Sequence, residues 1–279
     1  MRKHLSRAIA VLGAVLAALA SRPLSPPADA GELNAGKGTS RTGRVVRSAA
    51  IDGGRLLGGY VYVKSADATA VLPEGFQLQE GTGEMTVLAV DVVRYSSASI
   101  DGRRLPGGLI TLEYLPVVMA PAEHQVEWSA LDWLLVRASC SDPQLRQTFA
   151  GWNVPSQPAL MWQKVTETAD AFRASASLAS RHLAFSLHAS TPLANLFPVP
   201  EGGATRTFGV KDGVVANYVS WRAGSFDLYF GSGLFDILWG DFAVPRASSD
   251  DAGPAYIPSI SYQLHFVPLA RDSRFAARP

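Results

Sequence analysis

The sequence predicts a β-rich α+β fold, a barrel or sandwich-like domain with a few short helices. Many short runs of β-branched and aromatic residues alternate along the chain with turn residues such as glycine, proline and aspartate. Only two or three segments have the composition of short helices. These patterns extend over residues 49–268, and a segment of about 220 residues is a size that one domain can fill.

Both ends of the chain are predicted to lie outside that domain. Residues 1–30 have the pattern of a bacterial signal peptide, because a positively charged start precedes an apolar run over residues 8–20. That run is too short to span a membrane, so we expect a secreted or periplasmic protein with no membrane span in the mature chain. Two small-x-small cleavage sites, at residues 18–20 and 28–30, both fit. Residues 31–48 are predicted to be a disordered linker and residues 269–279 a frayed tail.

Charge and cysteine content exclude several classes of function. The net charge is +1 and no basic stripe stands out, so a nucleic-acid partner is not expected. Cys140 is the single cysteine, which excludes an internal disulfide, and it follows an apolar run typical of a buried, inert thiol. Neither a zinc-type spacing nor a phosphate-binding glycine loop occurs, so no metal and no cofactor is predicted.

The first half of the domain is predicted to combine strands with two helices. The strands share a β-branched, apolar composition and cover residues 59–64, 85–95 and 109–119. The strand at 85–95 is apolar on both faces, which is typical of a central strand. Helices are expected at 65–72 and from Asp142 to Phe149, where Asp-Pro is a helix-start signal. Residues 128–138 fit either a strand or a buried helix, because apolar periodicity does not separate the two.

The second half of the domain is predicted to be almost entirely β. The expected strands cover residues 159–166, 172–178, 181–188, 205–210, 214–221, 225–230 and 257–267. Residues 172–188 are expected to form a hairpin with a turn near 179–180. Residues 234–239 are the exception, for which we expect a helical turn.

Glu113 is the only charged residue in the apolar run 109–119. A carboxylate in such a strand is costly unless it is paired, or unless it is protonated with a raised pKa. Carboxyl groups perturbed in this way cluster at functional sites. Two interpretations therefore stay open, a functional carboxyl and a structural ion pair with a residue such as Arg94 or Arg137.

Three motifs follow one another across residues 55–188. They are Arg55 before Tyr60-Val61-Tyr62 and Val71-Leu72-Pro73-Glu74, then the strand with Glu113, then Arg146 before Trp152-Asn153-Val154-Pro155. In this order and spacing they resemble the acetoacetate decarboxylase family, and the hairpin that follows fits as well. The resemblance implies a β-barrel with a central cavity. It also implies that Arg55 binds a substrate carboxylate, that Glu113 lies beside the reacting centre, and that Trp152 contributes to the ligand site.

The chain departs from that family at its reactive amine. In the family a proline is followed by two lysines, one of which forms a Schiff base with a β-keto acid while the other lowers its pKa. Here Pro155 is followed by Ser156 and Gln157, and neither side chain can form an imine. Lys164, on the next predicted strand, is either a migrated nucleophile or a surface lysine. A second acidic residue of the family would fall near Ala89 or Asp91.

Three functions are compatible with these residues. The first is an exported acetoacetate decarboxylase-like protein with a pocket for a small organic acid or apolar ligand and with altered or lost decarboxylase chemistry. The second is a noncatalytic periplasmic ligand-binding barrel. The third is an active carbon–carbon lyase that uses Lys164, with Glu113 as a further catalytic residue. The expected partner in each case is a small molecule such as a keto acid or another carboxylate, and a homo-oligomer stays open.

Overall fold

A computed structural model describes residues 47–72, 76–78, 84–119, 132–152, 154–199, 204–211, 214–240 and 254–268. The predicted signal peptide, most of the linker and the tail lie outside these residues. The described part is mostly β-strand, which confirms the predicted β-rich composition. Within it, neither α-helix has the length and apolar character that crossing a membrane requires.

Fifteen strands are described, and their bounds follow in chain order. They are β1 Arg47–Lys64, β2 Phe76–Leu78, β3 Met85–Ile100, β4 Arg103–Met119, β5 Asp132–Cys140, β6 Ser156–Gln157, β7 Leu160–Glu167, β8 Ala171–Ala179, β9 Leu183–Pro192, β10 Leu196–Val199, β11 Ala204–Lys211, β12 Val214–Ala223, β13 Phe226–Phe230, β14 Ser232–Gly240 and β15 Ala255–Pro268. Residues 132–140 form a strand. For residues 132–138 the strand is therefore correct and the alternative of a buried helix is not.

Eleven strands form one large sheet in which β1 has two long pairings. The order is β1-β3-β4-β5-β11-β12-β15-β13-β10, with β2 paired to β4 and β6 paired to β5. β1 also pairs with β15 from Arg47 to Gly58, so the path from β1 through β3, β4, β5, β11, β12 and β15 returns to β1. We refer to these seven strands as the strand ring. β3 lies between β1 and β4, as expected of a central strand.

A second sheet of four strands, in the order β14-β9-β8-β7, packs against one side of the ring. β8 and β9 pair from Ala171–Pro192 to Ala179–Ala184, which confirms the predicted hairpin. The predicted helical turn at 234–239 is wrong, because these residues belong to β14 and pair with β9. A short apolar run fits a helical turn and a strand equally well. Here the backbone pairing of β14 with β9 favours the strand.

Two short helices complete the described elements, together with a 3-10 turn at Leu193–Asn195. Helix α1 covers Ser65–Thr69 and helix α2 covers Pro143–Gly151. The α2 start confirms the sequence signal, since the Asp142 carboxylate accepts from the Leu145 amide at 2.7 Å and proline occupies the first turn. Two buried α2 side chains, Leu145 and Phe149, pack onto the ring.

The ring strands divide their side chains between two cores, because successive residues of a strand point to opposite faces. One core contains Val90 and Val92 of β3 together with buried residues of the second sheet, such as Phe185 and Phe235. We call this face the sheet side. The other core contains Val93 of β3 together with residues of α2. We call this face the helix side.

Candidate functional site

Two carboxyl groups lie on neighbouring strands of the ring but on opposite faces. Glu113 of β4 is in register with Val90 of β3, whereas Asp91 of β3 is in register with Leu112 of β4. Val90 belongs to the core on the sheet side and Leu112 to the core on the helix side. One step along the chain thus places Glu113 between the two sheets and Asp91 against the helix side.

Glu113 is enclosed between the ring and the second sheet, with 1% of its surface exposed. Its neighbour in register on β5 is Arg137, whose guanidinium donates to Glu113 Oε2 at 3.4 Å. The Arg137 side chain is itself only 13% exposed. This contact is the ion pair that the structural interpretation of Glu113 expected, and a buried pair of this kind offsets much of the cost of desolvating its charges.

Asp91 sits where the ring backbone leaves room for a carboxyl group. Its neighbour on β1 is Gly58, and a methyl group added to Gly58 would lie 2.6 Å from Asp91 Oδ1. The carboxyl group therefore occupies the space that a β1 side chain would otherwise fill. Among the described residues, no lysine, arginine or histidine pairs with Asp91. Burial raises the pKa of the Asp91 carboxyl from 3.8 to about 7.

Two tyrosines share the environment of Asp91. Tyr114 of β4 and Tyr262 of β15 both pack against the core on the helix side. Burial, and then the negative charge of Asp91, raise the pKa of each phenol well above its ordinary value. Protein surrounds all three side chains, yet each keeps part of its surface accessible to water. Both phenols stay neutral at physiological pH, so Asp91 is the group of the three that titrates.

Helix α2 closes the neighbouring part of the helix side. Trp152, at the end of α2, is fully buried and meets Phe149 edge to face, with ring centroids 5.8 Å apart. Cys140 of β5 is also buried, as predicted, and burial raises the pKa of its thiol to about 12 against a smaller opposing effect of Arg146. Trp152 thus shares the helix side with Asp91, and its role in ligand binding stays a prediction.

The two residues at the lysine position of the family point to different surroundings. Ser156 is in register with Ala138 of β5 and its hydroxyl donates to the Arg146 carbonyl oxygen at 2.9 Å. Gln157 is in register with Ser139, and its amide donates to the hydroxyls of Ser139 and Ser180 at 3.2 and 3.0 Å. Both side chains are occupied in structural hydrogen bonds.

Arg55 is not brought together with Glu113. Arg55 is exposed and lies in register with Arg94, while Glu113 is aligned with Gly59, four residues farther along β1 and two strands away. Strand geometry then separates their Cα atoms by roughly 16 Å. The neighbouring Gln163 links the two sheets, since its amide donates to the carbonyl oxygens of Arg55 and Val92 at 3.2 and 3.0 Å.

Lys164 is exposed on β7, an edge strand of the second sheet. It is in register with Ser175, while Gln163 beside it in sequence points inward and is buried. Strand alternation therefore turns the Lys164 amine away from both cores. The structure does not bring Lys164 together with Asp91, Glu113 or Ser156.

Asp91 is the site residue that the sequence indicated least clearly. It lies between Val90 and Val92 in a run apolar on both faces, so a charge there carries the same cost as at Glu113. The isolated charge of Asp91 in an apolar strand was the sequence signal that could have identified this site. The family pattern placed a second acidic residue only near Ala89 or Asp91. Among the described residues, no group of three or more histidine, cysteine, aspartate or glutamate side chains could hold a metal ion.

Comparison with known proteins gives a fold and no closer relationship. The sequence matches no protein-family model, and no curated protein sequence is significantly similar to it. The solved structures similar to this chain include complexes of the enduracididine biosynthesis enzyme MppR. Its pyruvate complex matches with a TM-score of 0.51 and 13% identity over 88% of this chain and 90% of that chain. Its complex with the condensation product of pyruvate and imidazole 4-carboxaldehyde matches with a TM-score of 0.52 and 12% identity, over 82% of this chain and 88% of that chain.

An acetoacetate decarboxylase from Legionella pneumophila is similar to the same degree. The TM-score is 0.52 and the identity 12%, over 90% of this chain and 99% of that chain. At such identities the likeness concerns the fold. The chain therefore has the fold of acetoacetate decarboxylase-like enzymes, which confirms the resemblance at the level of the fold, while the central cavity stays a prediction.

Proposed function

We propose that this protein binds a small organic molecule in a pocket on the helix side of the strand ring, centred on Asp91, Tyr114 and Tyr262. In this proposal the ring is a barrel around a central cavity, and the protein is exported by its N-terminal signal. The acetoacetate decarboxylase-like fold supports the proposal, since the matched enzymes include one in complex with pyruvate. We further propose that this protein has lost decarboxylation through an imine intermediate.

The observation that carries the proposal is the combination of enclosure and water contact at three side chains. Asp91, Tyr114 and Tyr262 are surrounded by protein, yet part of each remains accessible. An enclosed group that still touches water borders a space large enough for water, and polar groups converging on such a space are typical of ligand sites. Glu113, by contrast, has its charge compensated between two packed sheets.

The positions of the two lysines with described side chains support a changed chemistry. Lys64 and Lys164 are the lysines whose side chains the structure describes, and both are exposed. Ser156 uses its hydroxyl on a backbone carbonyl. An amine must approach a substrate carbonyl in a desolvated site to form an imine efficiently, and neither exposed side chain lies in such a site. Ligand binding without an imine is therefore favoured over the alternative of a lyase that uses Lys164.

A keto acid or another carboxylate is one ligand class for this pocket. Such a ligand would meet a protonated Asp91, which can donate a hydrogen bond to a carboxylate oxygen, beside two neutral phenol rings. Above the Asp91 pKa of about 7 the two negative charges would repel each other. The Arg55 guanidinium lies on the other face of the ring and would take no part in this contact.

Two measurements on the mature protein test the proposed function. Incubation with acetoacetate or pyruvate and borohydride, read by intact mass, is expected to leave no adduct. Binding of a fragment set that includes these acids is measured by calorimetry on the wild type and on Asp91→Asn, with the exposed Asp52→Asn as the matched control. We expect at least one fragment to bind with an affinity that changes in Asp91→Asn alone. An adduct that disappears in Lys164→Ala, or no binding that depends on Asp91, would overturn the proposal.

A further inference from the structure

We propose that the pocket at Asp91 prefers a small organic cation, such as an alkyl- or methylammonium group, over the carboxylates that bind to related folds. This inference rests on the proposed pocket and specifies its ligand class. It follows from three features of the helix side. These are an acidic group that has no counter-charge among the described residues, aromatic rings beside it, and a glycine that leaves room for its carboxyl group.

The first feature is the uncompensated charge. Among the described residues no basic side chain pairs with Asp91, although Arg137 is nearby in the sheet register. Arg137 lies on the sheet side, where it pairs with Glu113. Arg146 of α2 acts on the thiol of Cys140. An enclosed carboxylate that lacks a partner gains most from a ligand that brings a positive charge, because the desolvation of Asp91 has already been incurred in the folded protein.

The second feature is the aromatic lining. Tyr114 and Tyr262 lie close enough for the Asp91 charge to act on their phenols, and Tyr60 is in register with Ala89, which in turn is in register with Tyr114. Aromatic faces attract ammonium groups, and a carboxylate beside several rings is the arrangement that quaternary ammonium ligands favour. The phenols remain neutral, so they add no repulsion to either ligand class.

The third feature is the glycine opposite the carboxyl group. Gly58 places no side chain over Asp91 Oδ1 from β1. Among the described residues, the other titratable groups on the helix side near Asp91 are Tyr60 on β1, Tyr95 on β3, Tyr114 on β4, Cys140 on β5, Tyr262 on β15 and Arg146 on α2. Burial raises the pKa of the Tyr95, Tyr114 and Tyr262 phenols and of the Cys140 thiol, so these four groups are neutral at pH 7. Asp91 is thus the described acid on this side whose charge a ligand would meet.

Three ligands of similar size and shape but different charge separate the effect of charge on binding from the effect of size. Choline, 3,3-dimethylbutan-1-ol and 3,3-dimethylbutanoate share a branched head of one shape, which is positively charged in choline and neutral in the other two. The third ligand carries its negative charge on a carboxylate at the opposite end. Titration calorimetry on the full mature chain at pH 7.5 is expected to rank choline first, by about tenfold or more over the neutral alcohol, and the acid last. Asp91→Asn is expected to remove the advantage of choline, while Asp52→Asn keeps it.

Proton release gives a second readout that does not depend on a variant. Below pH 7 a bound cation favours ionised Asp91, so choline binding is expected to release up to about one proton, seen as a binding enthalpy that changes with the buffer. Stronger binding of the acid than of choline, or equal binding of choline to Asp91→Asn, would overturn the inference while leaving the pocket in place. Binding of none of the three, in a protein whose fragment screen also finds no Asp91-dependent ligand, would remove the pocket itself.

Discussion

Asp91 and Glu113 are two enclosed acids on adjacent strands, and the fold gives them opposite surroundings. Glu113 lies on the sheet side with Arg137 3.4 Å away and almost no exposed surface. Asp91 lies on the helix side with tyrosines and a glycine around it, and burial raises its pKa to about 7. The charge of Glu113 is compensated by Arg137, whereas no described basic side chain pairs with Asp91, whose charge is left for protonation or for a ligand.

The contrast separates a structural acid from a functional one by their surroundings. Glu113 had the stronger sequence signal, because it interrupts an apolar strand and matches a family position. Compensation inside the chain is what a structural pair needs, while an enclosed acid without a partner lowers stability and persists where it has a use. The comparison therefore moves the expected site from Glu113 to Asp91, one strand away and on the other face.

The largest effect is expected from removing the partner of Glu113. Arg137→Met leaves a buried carboxylate without its guanidinium, and we expect a loss of about 3–5 kcal/mol in the free energy of unfolding. Denaturant unfolding at pH 7 measures it. The double variant Glu113→Gln, Arg137→Met is expected to recover part of the loss. A loss below about 1 kcal/mol in the single variant would show that the pair does not stabilise the fold.

A change of stability with pH is expected at Asp91. The folded protein holds this proton up to about pH 7, whereas the unfolded chain releases it near pH 3.8. Folding therefore takes up a proton between these values, and the stabilising contribution, complete below pH 3.8, is lost as pH rises to about 7. We expect Asp91→Asn to gain about 2–4 kcal/mol relative to wild type across this window. Parallel stability curves for the two proteins would contradict the burial of the charge.

A smaller effect is expected from filling the space beside Asp91. In Gly58→Ala the new methyl group would meet Asp91 Oδ1 at 2.6 Å, so the carboxyl group must shift. We expect a loss of about 1–2 kcal/mol and weaker binding of any Asp91-dependent ligand. Gly151→Ala, at the end of α2, is the control, since nothing lies within 4 Å of its added methyl. Equal behaviour of the two variants would show that Asp91 does not occupy the space over Gly58.

The smallest effect is expected at Lys164. Its exposed position on β7 predicts that Lys164→Ala changes the free energy of unfolding by less than about 0.5 kcal/mol and leaves ligand binding unchanged. Thermal unfolding and calorimetry measure both quantities. A large loss of binding in this variant would place the amine at the ligand and would restore the lyase alternative.

Most strands were predictable because their signals are local. The β-branched run at 85–95 became part of β3, the hairpin at 172–188 became β8 and β9, and Asp142-Pro143 began α2. The segment 234–239 was mispredicted because a six-residue apolar stretch has no periodicity long enough to separate strand from helix. Its state was decided by pairing with β9, which lies about 45 residues earlier in the chain.

The amino-acid sequence by itself determined which groups are available: an isolated carboxylate at Glu113, another at Asp91, and serine and glutamine where the family has lysines. The tertiary structure alone decided which acid is compensated. A strand gives its side chains to two faces with a period of two, and the sequence does not say which layer covers each face. Register placed Glu113 beside Arg137 and Asp91 beside Gly58, through pairings between segments distant along the chain.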